Sequence, residues 1–84
     1  GYAMRINLGD ILLVQDSYRI GKKVTVKVSN MNLYPKAETG PRFRGIILNS
    51  LEMFEENFKV DDVVRNFGKM EISEFMEKFP EHLI

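Results

Sequence analysis

The most regular alternation of hydrophobic and polar residues lies in KVTVKVSN, residues 23–30. Its three valines fall on one face of an extended chain, and Lys23, Thr25 and Lys27 fall on the other, which predicts a half-buried β-strand. The preceding apolar run, GDILLVQD, predicts a second strand. Between the two runs, DSYRIGKK has the residues of a turn, so we expect the two strands to form a hairpin.

The alternation changes parity at two places further along the chain. After Val28 the next apolar residues are Met31 and Leu33, so an extra residue near Ser29 or Asn30 is needed to keep the pleat in phase. A second change is expected at Gly45 in RFRGIILNS, because a glycine inside a strand is a common site of a bulge. Bulges bend strands, and two of them predict a small, strongly curled sheet.

Apolar residues in the second half of the chain recur at helical spacing. Three segments fit this template, and Pro80 ends the last one. The middle segment, KVDDVVRNF, is also rich in valine and is compatible with a strand, but its spacing favours a helix. The apolar residues of the three segments are Leu51, Phe54 and Phe58; Val60, Val63, Val64 and Phe67; and Ile72, Phe75, Met76 and Phe79.

These patterns predict an α+β fold in a single domain, residues 4–84. We expect residues 4–49 to form a small curled antiparallel sheet, with an SH3-like or OB-like barrel as the nearest architecture, and residues 50–84 to cover it with two or three short helices. Residues 1–3, which precede Met4, are interpreted as a remnant of an expression vector.

Composition excludes several classes of protein. The 84 residues include no cysteine, so neither a disulfide framework nor a thiolate metal site is available. The longest apolar run, ILLV, is far shorter than the ~20 residues that a membrane-spanning helix needs. His82 is the single histidine, and there is no glycine-rich phosphate loop. We therefore expect a cytoplasmic protein that is not an enzyme, with no cofactor, no metal and no membrane contact.

Charge is divided unequally between the two halves of a chain whose net charge is zero. Residues 1–46 hold eight lysines and arginines against three acidic residues, a net of +5, whereas residues 47–84 hold four against nine, a net of −5. Such asymmetry indicates contact with a polyanion on one side, or pairing of opposite faces between copies. The alternative is two solvated faces that neutralise each other within one compact domain.

The segment LYPKAETGPRFRG, residues 33–45, concentrates the residue types that contact nucleic acid. Arginine side chains match the geometry of phosphate, and an exposed tyrosine offers a surface on which a base can stack. The structural alternative is an ordinary connection between strands whose lysines discourage aggregation. The residues that we assign to nucleic-acid or anion contact are Lys23, Lys27, Tyr34, Lys36, Arg42 and Arg44.

The acidic half supplies the second set of candidates. Glu52, Glu55 and Glu56 would share one face if residues 51–58 were helical, and two aspartates follow. An acidic face of this kind suits a basic protein partner, although most such faces are simply solvated. The sequence thus favours a protein-interaction, regulatory or inhibitor module, with weak self-association and nucleic-acid binding as alternatives. The residues assigned to protein-partner contact are Glu52, Glu55, Glu56, Asp61 and Asp62.

Overall fold

The computed structural model describes residues 5–15, 22–38, 40–49 and 53–83. These residues form five strands, one α-helix and two short 3₁₀ turns. The predicted turn at residues 16–21, the vector-derived interpretation of residues 1–3, and the candidates Leu51 and Glu52 lie outside the described residues. In chain order the elements are β1 (Asp10–Gln15), β2 (Lys23–Leu33), β3 (Arg42–Ile47), β4 (Glu55–Lys59), a 3₁₀ turn (Val60–Asp62), β5 (Val63–Lys69), α1 (Ile72–Lys78) and a 3₁₀ turn (Pro80–Leu83).

The five strands form one antiparallel sheet in the order β4-β3-β2-β1-β5. β1 and β2 pair with Leu12 opposite Val26 and Val14 opposite Val24, as expected for neighbours in sequence. The last strand, β5, returns to pair with β1 and places Val63 opposite Val14. The α+β class and the antiparallel sheet are therefore confirmed.

The valines of β2 lie on the face of the sheet that holds the main hydrophobic core, called the core face below. Strict alternation explains this placement, since Val24, Val26 and Val28 are buried while Lys23 on the other face is exposed. All five strands contribute to this core. Its buried members are Ile6, Leu12, Val14, Val24, Val26, Val28, Phe43, Ile47, Phe58 and Val63.

Of the two predicted bulges, one is confirmed and one is wrong. The pairing of β2 with β3 shifts between Val28 and Asn30, which leaves Ser29 as the extra residue. β3, in contrast, alternates without interruption, and Gly45 is a buried residue opposite Glu56 of β4. Glycine is required there for space, because a Cβ at this position would lie 3.1 Å from the Cβ of Val26.

Two of the three predicted helices are wrong. Residues 55–59 and 63–69, expected to be helical, form β4 and β5. The apolar residues of both segments have helical spacing. In β4, however, the alternate residues Glu56 and Phe58 also fit a strand that buries one side. In β5, the β-branched residues Val63 and Val64 favour extended backbone. Pairing with β3 and β1 decides between the two, because sheet hydrogen bonds form only in the extended state.

The third predicted helix, α1, is confirmed and packs on the opposite face of the sheet, called the helix face below. Phe75 is fully buried there beside Ile11 and Leu48. Its ring centroid lies 5.0 Å from that of Phe67 on β5, at 69°, an edge-to-face geometry that aromatic pairs prefer. The helix face over β1 and β5 is therefore closed by one short helix.

The segment after α1 is attached to the sheet by hydrogen bonds to a single carbonyl group. The main-chain oxygen of His82 accepts from Thr25 Oγ1 at 2.9 Å and from Asn49 Nδ2 at 2.8 Å. The Asn49 side chain also accepts from the Thr25 amide, while the Leu48 amide donates to the Thr25 carbonyl. Asn49 thus extends the β2–β3 ladder beyond the end of β3.

The two outermost strands of the sheet are consecutive in the chain. β4 and β5 occupy opposite edges, yet the three residues Val60–Asp62 join them. Hydrogen-bonded pairing between β4 and β5 is not found in the described part of the chain. The structure accordingly shows an open five-stranded antiparallel sheet followed by one helix.

Candidate functional site

Over β3 and β4 the helix face carries polar and charged residues, unlike the apolar surface beneath α1. Cross-strand partners share a face, and Arg42 lies directly opposite Lys59 while Arg44 lies opposite Asn57. Because Phe43 and Phe58 are buried on the core face, these polar partners must project from the helix face. The register therefore brings three cations from two strands onto one surface.

Tyr34 and Lys36 lie beyond the end of β2, at the same end of the sheet as Arg42. Leu33 pairs with Arg42, so Tyr34 follows immediately beside that arginine. A turn closed by the hydrogen bond from the Ala37 amide to the Tyr34 carbonyl, at 3.1 Å, places Lys36 next to it. We call the group of Tyr34, Lys36, Arg42, Arg44 and Lys59 the cationic end.

Tyr34 is the most exposed large hydrophobic residue in the described part of the chain, with 66% of its surface accessible. Its backbone is left-handed, at φ 50°, a conformation that a bulky side chain adopts only when its surroundings hold it there. Together with Pro35, Lys36 and Ala37 it lines an open concavity of about 390 Å³. The Tyr34 ring is thus exposed to solvent at the edge of this concavity.

Arg44 is engaged by an acidic neighbour. Its Nε donates to Glu55 Oε1 at 2.8 Å, and the Ser29 hydroxyl donates to the same oxygen at 3.0 Å. These two hydrogen bonds, with the Arg44 bond the larger cause, hold the pKa of Glu55 below its ordinary value of 4.5. Both partners of the ion pair are substantially exposed, so solvent screens their attraction and the pair adds little to stability.

The other two predicted cations lie apart from the cationic end. Lys23 begins β2 opposite Gln15, ten residues and about 33 Å of extended strand away from Leu33. Lys27 lies opposite Ile46 and forms an ion pair with Glu71 at 3.9 Å. Of the six residues that the sequence assigns to anion contact, the structure groups four: Tyr34, Lys36, Arg42 and Arg44.

Lys59 belongs to the same surface but is absent from the sequence-based candidates. The segment that contains it was expected to be helical, which would have separated it from Arg42. The signal that could have identified it is the alternation of Glu55, Asn57 and Lys59 with the partly buried Glu56 and the buried Phe58. Once β4 is taken as a strand, Lys59 falls on the face of Arg42.

The acidic candidates do not form a common face. β4 places Glu55 on the helix face and Glu56 on the core face, so the expected helical grouping is wrong for this pair. Asp61 and Asp62 follow in the 3₁₀ turn, and the Asp61 carboxylate lies beside Gly40, at the far end of the loop that begins with Tyr34. Glu55 and Glu56 therefore lie on opposite faces of the sheet and build no common acidic surface.

Comparison of the chain with models of protein families, with curated proteins and with solved structures finds no match. Within residues 5–15, 22–38, 40–49 and 53–83, no three His, Cys, Asp or Glu side chains are placed to hold a metal ion. The same part of the chain contains no helix of the length and apolarity needed to span a membrane. The functional argument therefore depends on the residues of the cationic end.

Proposed function

We propose that this protein binds single-stranded nucleic acid through its cationic end. The observation that carries the proposal is the strand register that sets Arg42 opposite Lys59, with Arg44 and the exposed Tyr34 beside them. Like charges directly opposite each other on neighbouring strands are destabilising, and a phosphate between them removes that repulsion. The register thus favours an anionic ligand on this surface.

The side chains of the cationic end suit the parts of a nucleotide. Guanidinium groups of Arg42 and Arg44 can each bind phosphate through two parallel hydrogen bonds. Phosphate must compete with Glu55 for Arg44, but this ion pair is exposed and screened by solvent, so it is readily exchanged. Stacking of a base on the Tyr34 ring adds about 1–3 kcal/mol.

Single strands suit this site better than duplexes do. Bases in a duplex are already stacked on each other, so the exposed ring of Tyr34 is useful only to an unpaired base. α1, the one α-helix in the described residues, carries Glu74 and Glu77 against Lys78 and is too acidic to lie in a major groove. Unpaired nucleotides that cross the end of the sheet are therefore the proposed ligand.

The experiment is a titration of labelled oligothymidylate and of a duplex of equal length at several salt concentrations. Four phosphates neutralised by Lys36, Arg42, Arg44 and Lys59 predict that log K falls with log salt at a slope of about −2.8. The duplex should bind more weakly. Absence of binding to the single strand at tens of micromolar in low salt would contradict the proposal.

Variants separate the charge contribution from the stacking contribution. Arg42→Gln should weaken binding and reduce the salt slope by about 0.7. Tyr34→Asn, which suits a left-handed backbone, should weaken binding by about 5- to 100-fold without changing the slope. Lys23→Gln is the matched control, because Lys23 is exposed on the same sheet but far from the site. An equal effect of the Lys23 substitution would indicate non-specific attraction.

Protein contact is the second candidate function, favoured by the exposed apolar residues at the start of β4. Met53 and Phe54 are both substantially exposed, and β4 is an edge strand with one hydrogen-bonding side directed away from β3. Such an edge can pair with a second copy. Sedimentation velocity up to millimolar concentration should show dimers that persist in high salt and that Phe54→Lys removes. A monomer throughout this range would exclude the pairing.

As the alternative to a free β4 edge, we propose that the sheet bends into the SH3-like or OB-like barrel that the sequence predicts. Two observations support closure: three residues join the strands at opposite edges, and one hydrophobic core contains residues from all five strands. In a barrel, the amides of β4 that do not pair with β3 would be protected by β5. Hydrogen exchange of these amides as slow as in β2 is expected, whereas fast exchange would indicate an open sheet.

A further inference from the structure

A second concave surface lies on the helix face, at the middle of the β2–β3 pair, where Lys27 lies opposite Ile46. It has a volume of about 350 Å³, within the range of sites that hold small molecules. It combines two lysines with apolar side chains and one hydroxyl group. Its lining residues are Leu8, Gly9, Lys27, Val28, Ser29, Ile46 and Lys69. We call it the two-lysine groove.

Lys69 is directed along the groove by close packing against Gly9. A Cβ at residue 9 would lie 3.3 Å from Cε and 3.4 Å from Cγ of Lys69, so the lysine stem lies flat against the glycine backbone. Gly9 has φ +88°, and its amide donates to the Val28 carbonyl at 3.0 Å, which fixes this backbone beside β2. The stem of Lys69 thus packs against Gly9, while the residue as a whole is exposed to solvent.

Lys27 is a largely buried cation with a distant partner. Only 21% of its side chain is accessible, and the nearest Glu71 oxygen lies 3.9 Å from its Nζ, beyond hydrogen-bond distance. The Glu71 side chain is 85% accessible and therefore well solvated. Lys69 forms no ion pair with any residue that the structure describes. Neither ammonium group is therefore held by a close carboxylate within the part of the chain that the structure describes.

The remaining lining is apolar. Leu8 is 58% exposed at the rim, and the partly buried Ile46 lies opposite Lys27 in the strand register. The hydroxyl of Ser29 already donates to Glu55, so it is not a free hydrogen-bond donor for a ligand. A ligand that fits must therefore present a negative group to the lysines and an apolar body to Leu8 and Ile46.

We propose that the two-lysine groove binds a small amphipathic monoanion, a carboxylate joined to an apolar chain or ring. The carboxylate lies between the ammonium groups of Lys27 and Lys69, and the apolar part covers Leu8 and Ile46. Burial of apolar surface contributes to affinity at about 25 cal/mol per Å², and charge-assisted hydrogen bonds orient the head group. Neither lysine belongs to the cationic end, but Ser29 of the groove and Arg44 of the cationic end both donate to Glu55, so octanoate binding is measured without oligonucleotide present.

The test is a titration of the full chain, followed by backbone amide NMR, with three probes: sodium octanoate, sodium acetate and 1-octanol. Octanoate should give saturable shifts at residues 8–9, 27–29, 46 and 69, with millimolar or tighter affinity. Acetate lacks the apolar part and octanol lacks the charge, so each should bind at least about tenfold more weakly. Equal binding of octanol, or shifts that do not saturate, would overturn the proposal.

Substitution of each lysine tests whether octanoate binds in the two-lysine groove. Lys27→Gln and Lys69→Gln should each weaken octanoate binding at least about fivefold, while the exposed control Lys23→Gln should leave it unchanged. The same spectra report whether each variant is folded. Unchanged octanoate affinity in both lysine variants would overturn the assignment, whatever the outcome of the oligonucleotide titration.

Discussion

Asn49 shows how one polar side chain can complete a sheet. It accepts from the buried Thr25 amide and donates to the His82 carbonyl at 2.8 Å. Asn49→Ala leaves the Thr25 amide without its acceptor, which should cost about 1–3 kcal/mol of the free energy of unfolding. Thr25→Val removes one of two donors to His82 and should cost less, about 0.5–1.5 kcal/mol.

Urea denaturation of these two variants tests the ranking. Asn57→Ala is a control, because Asn57 is exposed on β4 and its substitution should change stability by less than about 0.5 kcal/mol. A loss for Thr25→Val as large as that for Asn49→Ala would show that the Thr25 amide finds another acceptor, and that Asn49 does not continue the ladder.

Glu55 gives a prediction about pH. Its pKa in the folded protein is lowered by Arg44 and then by Ser29, so the folded state favours the ionised carboxylate. The associated stability is therefore present above pH 4.5 and is lost as the pH falls through the lowered folded-state pKa. In carboxyl-carbon NMR titrations, Arg44→Gln should raise the Glu55 midpoint toward 4.5, and Ser29→Ala should raise it less. A midpoint unaffected by Arg44→Gln would contradict this cause.

At the level of single residues, the sequence predicted part of the group of residues that lies at the cationic end. Tyr34, Lys36, Arg42 and Arg44 lie close together in the chain, so one loop and one strand are enough to group them. Lys59 is distant in sequence and joins them only through the β3–β4 register. The separation of Lys23 follows from the length of β2, which alternation alone does not reveal.

Among the elements, α1 depends most on a single contact. Phe75 is fully buried against Ile11 and Leu48, and its ring also packs on Phe67 and Phe79. Phe75→Ala should reduce the free energy of unfolding by about 3–5 kcal/mol through lost burial and an internal cavity. Met76→Ala in the same helix, at a largely exposed position, should change it by less than about 0.5 kcal/mol.

Thermal or chemical unfolding followed by circular dichroism measures both changes. Comparable losses in the two variants would mean that burial of the Phe75 ring is not what holds α1 in place. A small loss for Phe75→Ala alone would show that the helix face closes without this ring.

The strands of the first half and the last helix could be predicted from the sequence, because the apolar residues of each recur mainly at one spacing. β2 alternates over eight residues, and Ile72, Phe75, Met76 and Phe79 repeat only at helical spacing. β4 and β5 were not predictable, because Phe54 and Phe58 fit a helix while Glu56 and Phe58 fit a strand. The partner strands β3 and β1 resolve that ambiguity, and single-sequence periodicity contains no information about them.

For the whole molecule, the division of charge along the chain does not become a division in space. β5, from the acidic half, pairs with β1, from the basic half. Ion pairs join the halves again, Arg44 with Glu55 and Lys27 with Glu71. The opposite net charges of the two halves therefore largely neutralise each other, and what remains positive is local, at the cationic end and the two-lysine groove.

Topology also predicts the rate of folding. β5 pairs with β1 across the 47 residues, 16–62, that separate the two strands, and such non-local pairing must close a long loop before it gains contacts. We expect refolding in roughly milliseconds to seconds, as in other small sheets of high contact order. Stopped-flow fluorescence of the tyrosines tests this, and a microsecond phase that accounts for the whole amplitude would contradict it.

The late position of β5 has a consequence for biosynthesis. Until residues 63–69 have been translated, one side of the apolar strand DILLVQ has no hydrogen-bonding neighbour. A nascent chain at that stage exposes an unpaired strand edge with which other polypeptides can pair. A premature stop codon upstream of β5 would leave that edge unpaired. Cells that make this protein must therefore shield an unfinished sheet for most of its synthesis.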